Sequence, residues 1–177
     1  MKAQLIEILK ERSVKFGDFT LASGKKSDFY VDARLTTLHP VGSKLIAEMI
    51  LEKLSPEVQA IGGPVTGADP ITGAVTLLSG QTGRNLFGFM VRKQPKGYGG
   101  KQWVEGLANI QKGTKVCVIE DTVTTGGSLL KAIQKIEEAG LEVIQCIAVV
   151  DREEGAAGRL IDAGYSFEAL VSRSDLS

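Results

Sequence analysis

The chain has 177 residues, enough for one compact domain with a sizeable core, and its 43% hydrophobic and 24% charged residues are an ordinary composition for a water-soluble fold. Its 21 basic and 21 acidic residues cancel, which excludes a global field for nucleic acid or an anionic membrane and leaves any anion binding to local charge. No apolar run reaches the length of a membrane span, and Glu7 interrupts what would be a signal core, so the chain is expected in the cytoplasm.

In chain order, Leu5, Ile6, Ile8 and Leu9 give a first helical face. A glycine-rich, polar stretch covers residues 17–26, followed by a short alternating segment, Phe29-Tyr30-Val31-Asp32. His39-Pro40 starts a second helix, with proline in its first turn and Val41, Leu45, Met49 and Ile50 on one face. Residues 58–61 read as a strand closed by Gly62-Gly63-Pro64, and Asp69-Pro70 as the cap and first position of a helix to about Leu78. Further strands are expected over 86–91 and 115–119, then a helix over 128–139 ended by Gly140. Residues 143–150 are almost continuously apolar, as in a parallel strand covered on both faces, and Cys117 and Cys146 sit in such runs as small buried hydrophobes. A helix over 156–163 and a strand over 167–171 complete the chain. Strands alternating with helices imply right-handed crossovers and a doubly wound, mostly parallel α/β sheet flanked by helices, in one domain spanning 1–177. Ligands of such sheets lie beyond the carboxyl ends of the strands.

The richest segment is Val118-Ile119-Glu120-Asp121-Thr122-Val123-Thr124-Thr125-Gly126-Gly127-Ser128. A buried strand ends in two carboxylates, and a hydroxyl- and glycine-rich turn opens a helix whose free N–H groups favour an anion. Thr124, Thr125 and Ser128 add hydroxyl donors. Glu120 and Asp121 would repel a phosphate, but they suit the hydroxyls of a sugar or a nearby cation. Phosphate plus diol is a ribose phosphate.

This string resembles the signature of the type I phosphoribosyltransferases. The resemblance implies that Glu120 and Asp121 contact the ribose hydroxyls of phosphoribosyl pyrophosphate, while Thr122, Val123, Thr124, Thr125, Gly126, Gly127 and Ser128 wrap its 5-phosphate. Three more segments are similar to the orotate phosphoribosyltransferases within that family. Ser23-Gly24-Lys25-Lys26-Ser27-Asp28-Phe29-Tyr30-Val31-Asp32-Ala33-Arg34 resembles their N-terminal hood, roughly residues 1–35, in which Lys26 reaches the donor and Phe29 and Tyr30 lie by the base. Arg92-Lys93-Gln94-Pro95-Lys96-Gly97-Tyr98-Gly99-Gly100-Lys101 is a glycine-rich run of cations, suited to closing over pyrophosphate. It is similar to a catalytic loop that reaches into the partner's site of a dimer. By position, Arg92, Lys93, Lys96 and Tyr98 bind the donor, and Lys96 is the main catalytic cation beside Asp121.

Asp151-Arg152-Glu153-Glu154-Gly155 is the third segment, and the resemblance pairs Arg152 with orotate, with Thr124 also at the base. A guanidinium gripping a carboxylate bidentately gives a physical reason to select an acidic pyrimidine. Two positions depart from many relatives, which have Asp-His at Gly97-Tyr98 and in some cases a lysine at Gly67. The resemblance implies transfer of the phosphoribosyl group to orotate in pyrimidine biosynthesis, with magnesium held mainly through the substrate and with no direct protein ligand. It also implies a homodimer with shared active sites. The rivals are a sister enzyme using a purine or uracil, a non-catalytic regulator sensing the donor, and a plain metabolite-binding module. Arg152 opposes the first, the absence of a basic nucleic-acid face the second, and the cationic loop the third.

Overall fold

A computed structural model of the chain describes residues 1–20, 26–96 and 102–177. The elements are α1 (Lys2–Arg12), β1 (Val14–Thr20), β2 (Lys26–Val31), α2 (Arg34–Thr37), α3 (Pro40–Lys53), β3 (Ala60–Pro64), α4 (Ala68–Gln81), β4 (Phe87–Lys96), β5 (Gln102–Glu105), β6 (Lys115–Val123), α5 (Gly127–Glu138), β7 (Glu142–Asp151), α6 (Ala156–Asp162), β8 (Phe167–Ser172) and α7 (Arg173–Leu176). Six strands form one sheet in the order β5-β4-β3-β6-β7-β8, parallel except for β5, which runs antiparallel to β4. A separate antiparallel pair, β1 and β2, forms the small N-terminal sheet.

Alternation along β6 shows how the sheet divides the core. Cys117 and Ile119 face a cluster built with α1, α3 and α4, while Val116 and Val118 face one built with α5 and α6. Both cysteines are buried, and burial raises both thiols, Cys146 to about 12. On α3, His39 is the N-cap: its Nδ1 accepts from the Gly42 N–H at 3.4 Å, and Pro40 fills the first turn. Gly140, at φ +90°, follows the end of α5 as the sequence predicts. Among the described residues no helix is long and apolar enough to cross a membrane.

Several boundaries differ from expectation. Gly62 and Gly63 do not close a strand but lie inside β3, where a side chain on either would collide with the backbone of β4 or β6. Asp69 does not cap α4, which starts from Gly67; it stands in the first turn. Val41 is half exposed rather than part of the buried face of α3. Residues 17–20, read as part of a polar stretch, belong to β1, and 92–96 extend β4 beyond its expected end.

Candidate active site

Strands β3 and β6 lie side by side, and the chain leaves them in opposite directions, through α4 to β4 and through α5 to β7. The crevice at such a switch point is where an open α/β sheet takes its ligand. Two loops form its floor, residues 65–67 after β3 and residues 124–126 after β6.

The second loop is built for close approach. Gly126 sits at φ +76°, and a Cβ there would lie 3.3 Å from the Cα of Ala156, so glycine is required both by conformation and by the docking of α6. Helix α5 begins with no side-chain cap, which leaves the N–H groups of its first turn open. They border a hollow of about 70 Å³ lined by Glu120 and residues 122–129. The Thr122 hydroxyl is buried there with no hydrogen-bond partner among the described residues.

Beside the hollow, a cleft of about 320 Å³ brings together Tyr30, Arg34, Gly67, Lys93, Glu120 and Asp121. It adjoins a larger one of about 680 Å³ that shares Lys93, Glu120 and Ser128 and runs under Arg92 and Trp103 along α5 to Lys131. The Glu120 carboxyl is pushed up to about 8, first by burial and then by the charge of Asp121. Burial raises Asp121 as well, opposed by hydrogen bonding to Glu120 and by the Thr122 N–H, which donates to its Oδ1 at 2.7 Å. Two half-buried neighbouring carboxyls thus favour sharing a proton until a ligand supplies donors or positive charge. Asp69 adds to this field: burial raises it, and its Oδ1 has no partner among the described residues.

Arg152 follows β7, and its N–H donates to the Val123 carbonyl at 3.0 Å, tying the end of β7 to the end of β6. Its buried guanidinium pairs with Glu154 at 2.9 Å and stands 5.8 Å from the centre of the Phe29 ring. Arg173 approaches that ring at 5.3 Å and holds Asp28 at 2.8 Å. Glu153, at φ +59°, takes a left-handed conformation and is held by Ser174, whose N–H and hydroxyl donate to its carboxylate at 2.9 and 2.6 Å.

The sequence-predicted residues therefore separate into groups. Tyr30, Lys93, Glu120, Asp121, Thr122, Val123, Thr124, Thr125, Gly126, Gly127 and Ser128 border the clefts or the hollow. Phe29 is fully buried, with its ring beside the Arg152 guanidinium. Lys26 is exposed at the start of β2 and lines none of these clefts. Arg92 reaches the larger cleft but donates to Glu105 on β5 at 2.8 Å. The Lys96 backbone pairs with Gln102; its side chain and all of Tyr98 lie outside the described residues. Arg34 and Lys131 also line these clefts, and the sequence alone does not single them out. Arg34 could have been singled out, because its pairing with Asp32 at 2.9 Å is only two residues long.

An open α/β sheet with a small hollow at an uncapped helix start and an acidic pair at its switch point is the architecture of a phosphoribosyltransferase, and the family profile of the phosphoribosyl transferase domain matches residues 84–165. The chain is 42% identical over 177 residues to the orotate phosphoribosyltransferase of Rhodopseudomonas palustris, covering 98% of this chain and 95% of that protein. Among solved structures, it resembles the Mycobacterium tuberculosis orotate phosphoribosyltransferase in complex with Fe(III) dicitrate, with a TM-score of 0.86 and 36% identity over 99% of this chain and 98% of that one. The same Mycobacterium tuberculosis enzyme in complex with 5-phospho-α-D-ribosyl 1-diphosphate gives 0.80 and 33%, over 99% and 98%. The chain belongs to the orotate phosphoribosyltransferase family. Its activity is the transfer of a 5-phosphoribosyl group to orotate, a step of pyrimidine biosynthesis that yields orotidine monophosphate and pyrophosphate.

Proposed function

We propose that the hollow between Glu120 and α5 holds the 5-phosphate of phosphoribosyl pyrophosphate, with Glu120 and Asp121 accepting hydrogen bonds from the ribose hydroxyls. The observation that carries this reading is the juxtaposition of an uncapped helix start with two half-buried carboxyls. Lys93, Lys96 and Arg92 neutralise the departing pyrophosphate, and Lys26 and Tyr98 add contacts to the donor. Arg152 grips the orotate carboxylate, flanked by Tyr30 and Thr124. In the reaction the bond from C1 of the ribose to pyrophosphate oxygen breaks as the bond from C1 to a ring nitrogen of orotate forms. An oxocarbenium-like transition state needs placement and electrostatic support more than a nucleophile from the protein.

Magnesium fits this site as a companion of the substrate. The oxygens of pyrophosphate and ribose would hold the ion, with Asp121 and Glu120 nearby. When bound, it supplies positive charge to the leaving group.

The whole chain acts in this reading as one domain, residues 1–177, with the hood packed on the core through Leu5 and Leu9 of α1. It works in the cytoplasm as a homodimer in which residues 92–101 of one protomer serve the other's site. Support for a dimer comes from Leu35, Val41, Leu77, Phe87 and Met90, large apolar side chains exposed on α2, α3, α4 and β4, elements that pack in series, and from Leu38 just after α2. The test is orotate consumption with phosphoribosyl pyrophosphate, with and without magnesium, for the wild type, Glu120→Gln and Asp121→Asn. Both variants should fold and lose turnover; near-normal rates in both would remove the acidic pair from the reading.

A further inference from the structure

The phosphate loop, Thr122-Val123-Thr124-Thr125-Gly126-Gly127-Ser128, contains no cation, and the two residues before it are acids. A phosphate dianion seated there meets helix dipole and hydroxyls but also the field of Glu120 and Asp121 at about the same range. Positive charge would have to come from another element. Helix α6 is the neighbour that can bring it, because its first residue, Ala156, packs directly on Gly126.

One turn along α6, Arg159 places its Nη1 only 3.2 Å from where a Cβ on Gly127 would stand. Among the described residues its guanidinium has no hydrogen bond and no ion pair, unlike Arg152, Arg173, Arg92 and Arg34. Gly127 is the first residue of α5, so the guanidinium lies beside the start of that helix. A side chain on Gly127 would stand in tight contact with this guanidinium. The bare glycine and the unpaired arginine are complementary features of one surface.

We infer that Arg159 is a further donor-binding residue, supplying to the 5-phosphate the positive charge that the loop itself lacks. The inference rests on the loop being the 5-phosphate site. Arg159 does not touch the reacting carbon or the pyrophosphate, so its contribution is felt equally in the ground state and the transition state and appears in KM rather than kcat. Both the donor and orotidine monophosphate carry the 5-phosphate, whereas pyrophosphate does not.

The experiment compares wild type, Arg159→Lys and Arg159→Met in both reaction directions, with thermal melting to verify the fold. Arg159→Met, which keeps length but not charge, should raise KM for the donor and for orotidine monophosphate by roughly tenfold, the size of one charged hydrogen bond. KM for pyrophosphate and both kcat values should stay within about twofold of wild type, and the difference from wild type should shrink as salt rises. Arg159→Lys should recover most of the loss. Wild-type KM values in Arg159→Met, an equal rise in KM for pyrophosphate, or a lysine variant as impaired as the methionine one would each overturn the inference. Hydrogen exchange separates this from failure of the underlying reading. Orotidine monophosphate should protect the amides of Gly127, Ser128 and Leu129; without that protection the loop is not the phosphate site, while protection with an unaffected Arg159→Met overturns the role of Arg159 alone.

Discussion

Gly67 faces Asp121 with no room to spare: a Cβ on Gly67 would lie 2.6 Å from the Asp121 carboxyl carbon. The backbone of Gly67 is ordinary helical, φ −64° and ψ −41°, so alanine there is strained only through this contact. Gly67→Ala should therefore change stability by less than about 1 kcal/mol while pushing Asp121 out of place. A fall in kcat/KM for the donor of at least about tenfold is expected. Steady-state kinetics beside a melting curve checks it, and an alanine variant with wild-type kinetics would show that Asp121 relaxes without consequence.

The acidic pair also predicts an inverted pH response. Acids that form ion pairs usually lose stabilisation on acidification, but Glu120 is raised from 4.5 to about 8, so the folded chain keeps a proton that the unfolded chain releases. Stability should then fall as pH rises from about 4.5 to about 8 and level off above, and Glu120→Gln should flatten that slope. Donor binding runs the other way, since sugar hydroxyls donate best to the ionised pair. Its Kd should tighten up to about pH 8 in wild type and lose that dependence in Glu120→Gln. Melting curves and calorimetric titrations at several pH values read both trends.

Arg152 and Phe29 make a paired prediction for the base. Arg152→Lys keeps the charge but not the planar fork, so KM for orotate should rise by about tenfold to a hundredfold with the donor KM unchanged. Phe29→Leu removes the buried ring under the guanidinium. It should weaken orotate in the same direction and cost about 1–3 kcal/mol of stability, which a denaturant titration measures. An unchanged orotate KM in Phe29→Leu would mean that the ring does not position the arginine.

In the proposed role at pyrophosphate, Arg92 would give up its pair with Glu105. The pair is partly exposed, at 41% and 26%, so breaking it costs little, up to about 1 kcal/mol. Glu105→Gln should hardly move the melting point and should lower KM for pyrophosphate in the reverse reaction by about twofold to fivefold. A higher KM would mean that the ion pair sets the productive shape of the β4–β5 hairpin.

The shared-site dimer can be tested with two dead variants, Lys96→Ala and Asp121→Asn, mixed after dissociation and allowed to reassociate. In each mixed dimer one site would combine an intact lysine with an intact aspartate. With random pairing, roughly a quarter of wild-type activity should return. Verified mixed dimers without activity would mean that both residues serve the same chain's site.

Much of this was legible in sequence because the decisive signals are local. The stretch from Val118 to Ser128 names its strand, its turn and its helix within eleven positions, and β7 declares itself by continuous apolar residues. The edge strands were harder to read. β1, with Lys15 and Asp18, and β5, which starts at Gln102, owe their conformation to antiparallel partners and carry little hydrophobic pattern of their own. The end of β3 is hard to place from sequence because Gly62-Gly63-Pro64 looks like punctuation, whereas its glycines answer to two neighbouring strands that sequence does not reveal. For the same reason the sequence places Phe29 by the base but does not reveal that its ring is buried beside Arg152 and Arg173, which come from far along the chain.

The hollow beside Glu120 is lined by a loop with two glycines and by an uncapped helical turn. The part of its grip on a phosphate that main-chain amides supply would be invisible to alanine scanning, which leaves every amide in place. A survey of side-chain replacements would credit the acids and the cations and miss the groups that hold the ligand still. Replacing the amides of Gly127 and Ser128 by esters through semisynthesis would delete single donors without altering a side chain. Resistance to binding loss across a mutational library would be, at a loop that holds phosphate through its amides, a sign of how the ligand is held and not of how little the loop matters.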